Sequence, residues 1–258
     1  MISKPALIYL DFDGVIANSA IECINTAFIA INKLQQKLVI EPINLNQSGK
    51  LKELAIAYRY LVLPPEHFYC LIRSIQIFAD QIEPNSDEIV DRFYYEISQA
   101  DKTLLDHFRM LFFASREREA MSKTDKDWYL DNPATPFINS LKPIIFQQNV
   151  QIKIVSRKDE RSLFRWISGG PYNFDCVYGN ESLALYNNEK FSLISKLQER
   201  NGYKAAIFID DAVGELGKFD WQSVGITPLI AGWGYNDLID NSLETLNYIK
   251  EWLDDLSD

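Results

Sequence analysis

The pattern of hydrophobic positions divides the chain into three stretches. Residues 6–10, ALIYL, form a short continuous apolar run, which is typical of a strand buried on both faces of a sheet. From about 20 to 132, apolar residues recur at helical spacing, as in AIECINTAFIAINKL and HFYCLIRSIQIFADQI. Breaks in this stretch fall at EPINLNQSG, PPE and EPNSD. The middle of the chain is therefore predicted to be almost entirely helical.

From residue 133 onward, helical and strand patterns alternate. Strands are predicted in VQIKIVS, FDCVYG, KAAIFIDD and SVGITPLIAG, and helices between and after them, the last in SLETLNYIKEWLDDL. This alternation predicts an α/β fold, a parallel sheet with helices on both faces. Residues 1–19 and 133–258 are assigned to this core. Residues 20–132 are predicted to be a large all-helical domain inserted after the first strand.

Composition and charge narrow the class of protein. The chain has 258 residues, of which 47% are hydrophobic and 24% charged, and a formal net charge of −10. An acidic surface disfavours binding to nucleic acid or to an anionic membrane. No apolar run approaches membrane-spanning length, and the apolar run near the N-terminus is too short for a signal peptide. The three cysteines form no CxxC pair. A cytoplasmic protein is expected.

The predicted strands end in polar and charged side chains. In an open α/β sheet, ligands bind beyond the carboxyl ends of the strands. Lys190 begins a predicted helix and is expected at the same edge. The strand-end groups are Asp11 and Asp13, Ser156 and Arg157, and Asp210 and Asp211. Any one of them alone is more often a solvated strand end or a helix cap. The whole set, in this order, is harder to explain in that way.

Clustered carboxylates repel one another unless a cation lies between them. Carboxylate oxygens with few histidines suit Mg²⁺, which favours carboxylates together with a substrate phosphate. The sequence therefore predicts a magnesium cofactor at this edge and a small phosphorylated metabolite as the partner molecule.

Each group has a chemical role that fits phosphoryl transfer. Asp11 is the candidate nucleophile, which would form an aspartyl-phosphate. Asp13 is the candidate acid and base for the leaving oxygen and then for water. Ser156 and Lys190 would bind and neutralise the transferring group, with Arg157 as a further phosphate ligand. Gly14 would allow a sharp turn beside the bound phosphate.

These residues resemble the four motifs of the haloacid dehalogenase superfamily of phosphotransferases. DFDGV is similar to motif one, Ser156 in IVSRK to motif two, Lys190 in NEKFSLISKL to motif three, and FIDD to motif four. NFDCVYGNE and GWGYND resemble the segments that flank motifs three and four. The resemblance implies a Rossmann-like doubly wound core and a helical C1-type cap, as in phosphoglycolate phosphatase-like members.

The resemblance also implies a division of labour at the metal. Asp11 and Asp211 are expected as direct ligands, and Asp13 through its backbone carbonyl. Asp210 is expected to reach the metal through a water molecule, or to contact only the residues that bind the metal. Glu215 fits the place of a further acid and equally fits a solvated helix residue. Lys190 is followed by phenylalanine where the family usually has proline.

The implied activity is that of a Mg²⁺-dependent phosphatase acting through an aspartyl-phosphate. The second aspartate of motif one, Asp13, argues against dehalogenation. A phosphomutase using the same site, or a non-catalytic regulatory or binding protein on a phosphatase scaffold, are the alternatives. The protein is expected to be a monomer or a homodimer.

The inserted domain is rich in aromatic and basic side chains. Its aromatic residues are expected to form its own core rather than a stacking surface. They are Tyr58, Tyr60, Phe68, Tyr69, Phe93, Tyr94, Tyr95, Phe112 and Phe113. Four arginines could reach a second anion on the substrate, although most of them are expected to be solvated. They are Arg59, Arg73, Arg109 and Arg116.

Overall fold

The fold divides into two compact units. A computed structural model describes residues 6–38, 43, 48–81, 84–146, 150–201, 205–236 and 238–257. The core unit comprises Met1–Ser19 and Lys123–Asp258, and the cap unit comprises Ala20–Ser122. The predicted breaks at residues 41–49 and 83–87 lie partly outside the described residues.

The core unit contains a five-stranded parallel sheet with the strand order β3-β2-β1-β4-β5. The strands are β1 (Ala6–Leu10), β2 (Val150–Val155), β3 (Cys176–Tyr178), β4 (Ala206–Asp210) and β5 (Ile226–Ile230). All five residues of β1 are buried, as expected of a central strand. The predicted α/β fold class with a doubly wound parallel sheet is confirmed.

The helices fall into one set for each unit. The cap unit contains α1 (Ala20–Lys37), α2 (Ser48–Ala57), α3 (His67–Gln76), α4 (Ser86–Gln99) and α5 (Lys102–Met121). The core unit contains α6 (Asp125–Asp131), α7 (Pro136–Phe146), α8 (Glu160–Gly169), α9 (Asn180–Ala184), α10 (Lys190–Asn201), α11 (Val213–Leu216) and α12 (Ser242–Ser257). Within the described ranges, none of these helices combines the length and the apolar character needed to cross a bilayer.

The register of the central strands fixes the position of the site. Leu10 lies opposite Ile154 of β2 and Ile209 of β4. The backbone N–H of Asp11 donates to Ile209 O at 2.9 Å, so β1 and β4 stay together to their carboxyl ends. The order of the strands along the chain reverses at β1 and β4, which is where open α/β sheets form their binding crevice.

The second boundary between the units differs from the expected one. The sequence placed it at 132/133, whereas the core unit resumes at Lys123 and includes α6. Two buried tryptophans explain the difference. Trp128 of α6 donates from Nε1 to Ser162 O of α8 at 3.1 Å, and Trp166 of α8 donates from Nε1 to Asn132 O at 2.6 Å. These contacts hold α6 against the core unit.

Aromatic side chains form much of the interior of the cap unit. Phe68 and Phe112 are buried and stack with their ring centroids 5.6 Å apart, and Phe93 is buried as well. Tyr94 and Tyr95, in contrast, are 59% and 52% exposed, so the aromatic set is not entirely internal.

One cap arginine differs from the expectation for its group. Most of the four arginines were expected to be solvated, but Arg116 is buried. Its Nε lies 3.0 Å from Oε1 of Glu22, and its guanidinium carbon lies 4.6 Å from the centroid of the Phe112 ring. Burial of a charge without a partner is costly, so the pair with Glu22 explains how the arginine is accommodated.

Candidate active site

Three carboxylates meet at the carboxyl edge of the core sheet. Asp11 follows β1, Asp210 ends β4, and Asp211 follows it. Each is buried, and each offers an oxygen that lies within 4.8 Å of the oxygens offered by the other two. Adjacent parallel strands deliver their ends to one edge, which is why residues 200 positions apart in sequence come together here.

Lys190 lies among these carboxylates at the start of α10. Its Nζ is 3.0 Å from Oδ1 of Asp11 and 2.7 Å from Oδ2 of Asp210, and its side chain is 3% exposed. Burial by itself lowers the pKa of this lysine, but Asp11 and Asp210 outweigh that effect and hold its pKa above the usual range. Lys190 therefore remains a cation in the interior.

The charge at Asp11 is not fully offset by this lysine. The pKa of Asp11 is raised to about 6, chiefly by burial; Asp210 and Asp13 contribute to the rise, and Lys190 opposes it. Crowding makes it unfavourable for these carboxyl groups to ionise together. A hard divalent cation binds ionised carboxylates, so it would stabilise their charged forms. The residues present therefore fit Mg²⁺.

The neighbouring acids Asp210 and Asp211 are held differently. Asp210 accepts from Lys190 on Oδ2 and from the backbone N–H of Ala212 on Oδ1, at 2.7 and 3.0 Å. Asp211 accepts from the backbone N–H of Tyr235 on Oδ2 at 2.6 Å. Both oxygens of Asp210 are thus engaged within the protein, and its main contact is with the lysine.

Gly14 makes the turn after β1 in a conformation that favours glycine. Its φ is +85°, and its N–H donates to Ala17 O at 2.8 Å. A Cβ at this position would overlap the Oδ2 atom of Asp211, and a Cβ at Gly234 would overlap the Asp211 side chain as well. The predicted sharp turn is present, and the two glycines leave room for the Asp211 carboxylate.

The side chain of Asp13 is held by two residues that sequence reasoning missed. Its Oδ1 accepts a hydrogen bond from the hydroxyl of Ser19 and lies 3.2 Å from Nζ of Lys158. The Lys158 side chain has no solvent exposure. Its Nζ lies 5.5 and 5.9 Å from the ring centroids of Phe12 and Trp128. The only signal in the sequence was its place two residues after Ser156.

Ser156 and Arg157 follow β2 but have different surroundings. Ser156 is buried, its N–H donates to Tyr178 O at 3.0 Å, and its Oγ accepts from the backbone N–H of Lys158 at 3.3 Å. Arg157 extends to Glu215, with Nη2 3.0 Å from Oε2. Glu215, for which a further acid of the site and a solvated helix residue were both left open, is 13% exposed and paired with Arg157.

Comparisons with known proteins identify solved structures that share this fold. No protein-family model and no curated protein sequence matches the chain. Solved structures do match over nearly its whole length. A haloacid dehalogenase-like hydrolase from Streptococcus pneumoniae is 17% identical, with a TM-score of 0.60, and the match covers 96% of this chain and 100% of that one. A protein named as a predicted phosphatase from Clostridium acetobutylicum is 16% identical, with a TM-score of 0.55 and coverage of 96% and 100%.

A third structure has the same architecture. It is a provisionally named phosphoglycolate phosphatase from Lactobacillus delbrueckii, 13% identical, with a TM-score of 0.53 and coverage of 96% and 99%. At these identities the likeness concerns the fold. The chain has the fold of haloacid dehalogenase-like hydrolases, a Rossmann-like core with a helical insertion after its first strand.

Proposed function

We propose that this protein is a Mg²⁺-dependent phosphatase that hydrolyses a small phosphorylated metabolite through an aspartyl-phosphate. The observation that carries the proposal is the buried group of Asp11, Asp210 and Asp211 with Lys190 between two of them. It combines a nucleophile, a metal donor set and a cation at the crevice of an α/β sheet. The names of the fold relatives agree with this chemistry.

In the first half-reaction, a carboxylate oxygen of Asp11 attacks phosphorus and the bond from phosphorus to the leaving oxygen breaks. Asp13 gives a proton to that oxygen, so the alcohol leaves neutral and Asp13 becomes a carboxylate. In the second half-reaction, Asp13 takes a proton from water as the water oxygen attacks phosphorus. The bond between phosphorus and Asp11 breaks, inorganic phosphate leaves, and both aspartates return to their starting state.

The surrounding groups stabilise charge during these steps. Lys190 lies 3.0 Å from the Asp11 carboxylate, so it neutralises the nucleophile and the transferring group together. The hydroxyl of Ser156 is the candidate donor to a phosphoryl oxygen. Mg²⁺ when bound would supply Lewis-acid stabilisation of the phosphoryl oxygens. Asp11 and Asp211, with the backbone carbonyl of Asp13, would hold it, while Asp210 positions Lys190.

The test is phosphate release from a panel of nitrophenyl phosphate, phosphoglycolate, sugar phosphates and nucleoside monophosphates. Each is measured with Mg²⁺, with a chelator, and with Asp11→Asn. We expect release that requires Mg²⁺ and falls to the assay background in Asp11→Asn, because the nucleophile is lost. Release that survives this substitution would contradict the proposal. A folded protein that releases phosphate from no ester would favour a phosphomutase or a binding protein.

A further inference from the structure

We propose that Lys158 is a positioning residue for Asp13, holding the carboxyl group that transfers the proton to and from the reacting oxygen. The inference rests on the proposed phosphatase function and assigns a role to a residue outside the set named for the four motifs. It derives from one unusual feature of the core unit, a lysine buried beside the turn that follows β1.

The surroundings of Lys158 are unfavourable for a charged side chain that serves only to fill space. Its side chain has no solvent exposure and its Nζ faces the rings of Phe12 and Trp128. An ammonium group in such a place loses its hydration, which is strongly unfavourable unless a partner of opposite charge compensates. Aromatic faces return part of this energy. The ion pair with Asp13 at 3.2 Å provides the opposite charge.

The geometry fixes the Asp13 carboxyl group from one side. The Ser19 hydroxyl and the Lys158 ammonium both meet Oδ1, so two donors on a single oxygen restrict rotation of the group. Lys158 is also tied to the predicted phosphate side of the site, because its backbone N–H donates to Ser156 Oγ at 3.3 Å. One residue thus connects the candidate acid with the candidate phosphoryl ligand.

The charge of Lys158 also has a chemical consequence. When Asp13 gives its proton to the leaving oxygen it becomes a carboxylate, and a cation at 3.2 Å stabilises that product. This stabilisation matters most for a strongly basic leaving group that must be protonated as it departs, such as a primary alkoxide. It matters least for nitrophenolate, which leaves with little protonation. Loss of Lys158 should therefore depend on the leaving group.

The experiment compares kcat/KM for nitrophenyl phosphate and for a primary alkyl phosphate in wild type and in Lys158→Met. We expect Lys158→Met to lower the alkyl phosphate value by about 100-fold or more, and the nitrophenyl value by less than about 10-fold, since proton transfer typically contributes 10²–10⁴-fold. Lys158→Arg keeps the cation and should recover part of the alkyl phosphate activity. Lys153→Met, which removes another buried lysine from β2, should change both substrates equally.

The outcomes separate this inference from the proposed function. Equal losses on both esters in folded Lys158→Met would mean that the lysine is only structural, and would overturn the inference alone. Absence of turnover in the wild type would overturn the proposed function and this inference with it. Lys158→Gln keeps a hydrogen-bond donor without a charge, so it gives the same comparison if Lys158→Met does not fold. An effect in Lys158→Gln that is equal for the two esters would overturn the inference as well.

Discussion

Buried charges occur in both units, and they are arranged in opposite ways. In the cap unit, Arg116 and Glu22 pair at 3.0 Å with side chains that are 4% and 6% exposed. The hydroxyl of Thr26 donates to the same carboxylate at 3.0 Å. One positive and one negative group lie together here with further hydrogen bonds, which is the arrangement that makes a buried ion pair tolerable.

In the core unit, carboxylates accumulate instead. Asp11, Asp210 and Asp211 come within reach of one ion, and Lys190 pairs with two of them. Burial raises the pKa of Asp11 to about 6 in this setting. A stable fold gains nothing from crowding acids in its interior, and the crowding is explained if a cation and a phosphate complete the charges. The balance of charge, rather than burial alone, therefore distinguishes a candidate site from a structural ion pair.

The largest effect on stability is expected in the cap unit. Arg116→Met leaves the Glu22 carboxylate buried without its guanidinium, and breaking a buried pair in this way costs about 3–5 kcal/mol. We expect the free energy of unfolding of the full chain to fall by that amount, measured by urea denaturation. The Glu22→Gln/Arg116→Met double variant should lose less, because no unpaired charge remains. A double variant as unstable as the single one would contradict the charge-balance argument for this pair.

In the core unit, removing the charge of Asp11 should raise the free energy of unfolding rather than lower it. A carboxyl group whose pKa is raised in the folded state contributes stability at low pH, and this contribution is lost as the pH rises through about 6. In metal-free protein at pH 7, Asp11→Asn should therefore raise the free energy of unfolding by about 3 kcal/mol relative to wild type. The gain should shrink as the pH falls below about 6 and disappear only well below 3.8, where the wild-type group is protonated in both states.

The matched control for Asp11→Asn is Glu22→Gln in the cap unit. It removes a buried carboxylate that is paired rather than crowded, so it should lower stability at pH 7 where Asp11→Asn raises it. Saturating Mg²⁺ should stabilise the wild type and not Asp11→Asn, since an ion that binds only the folded state adds to its stability. If both substitutions change stability in the same direction at pH 7, the comparison between the two units fails.

The sequence predicted the parts of this arrangement that follow from strand order. Asp11 and Asp210 stand at the ends of apolar runs, and parallel strands bring such ends to one edge. Burial of Lys158 and Arg116 could not be predicted in the same way, because it depends on distant segments. Lys158 lies against the rings of Phe12 and Trp128, and Arg116 pairs with Glu22 of α1. The boundary near Lys123 was missed for a related reason. Helical periodicity shows that α6 forms, but not which interior Trp128 enters.

The smallest effect is expected at Arg157, which pairs with Glu215 at 3.0 Å with side chains 27% and 13% exposed. A pair so close to solvent contributes about 1 kcal/mol or less. Arg157→Met should therefore change the free energy of unfolding by no more than that, far less than Arg116→Met. The same Arg157→Met variant also tests whether Arg157 binds phosphate. If it does, the variant should weaken inhibition by inorganic phosphate several-fold. Glu215→Gln should strengthen that inhibition, because the guanidinium is then released towards the anion. A stability loss as large as that of Arg116→Met would place Arg157 with the structural pairs, and unchanged inhibition in both variants would remove it from the phosphate site.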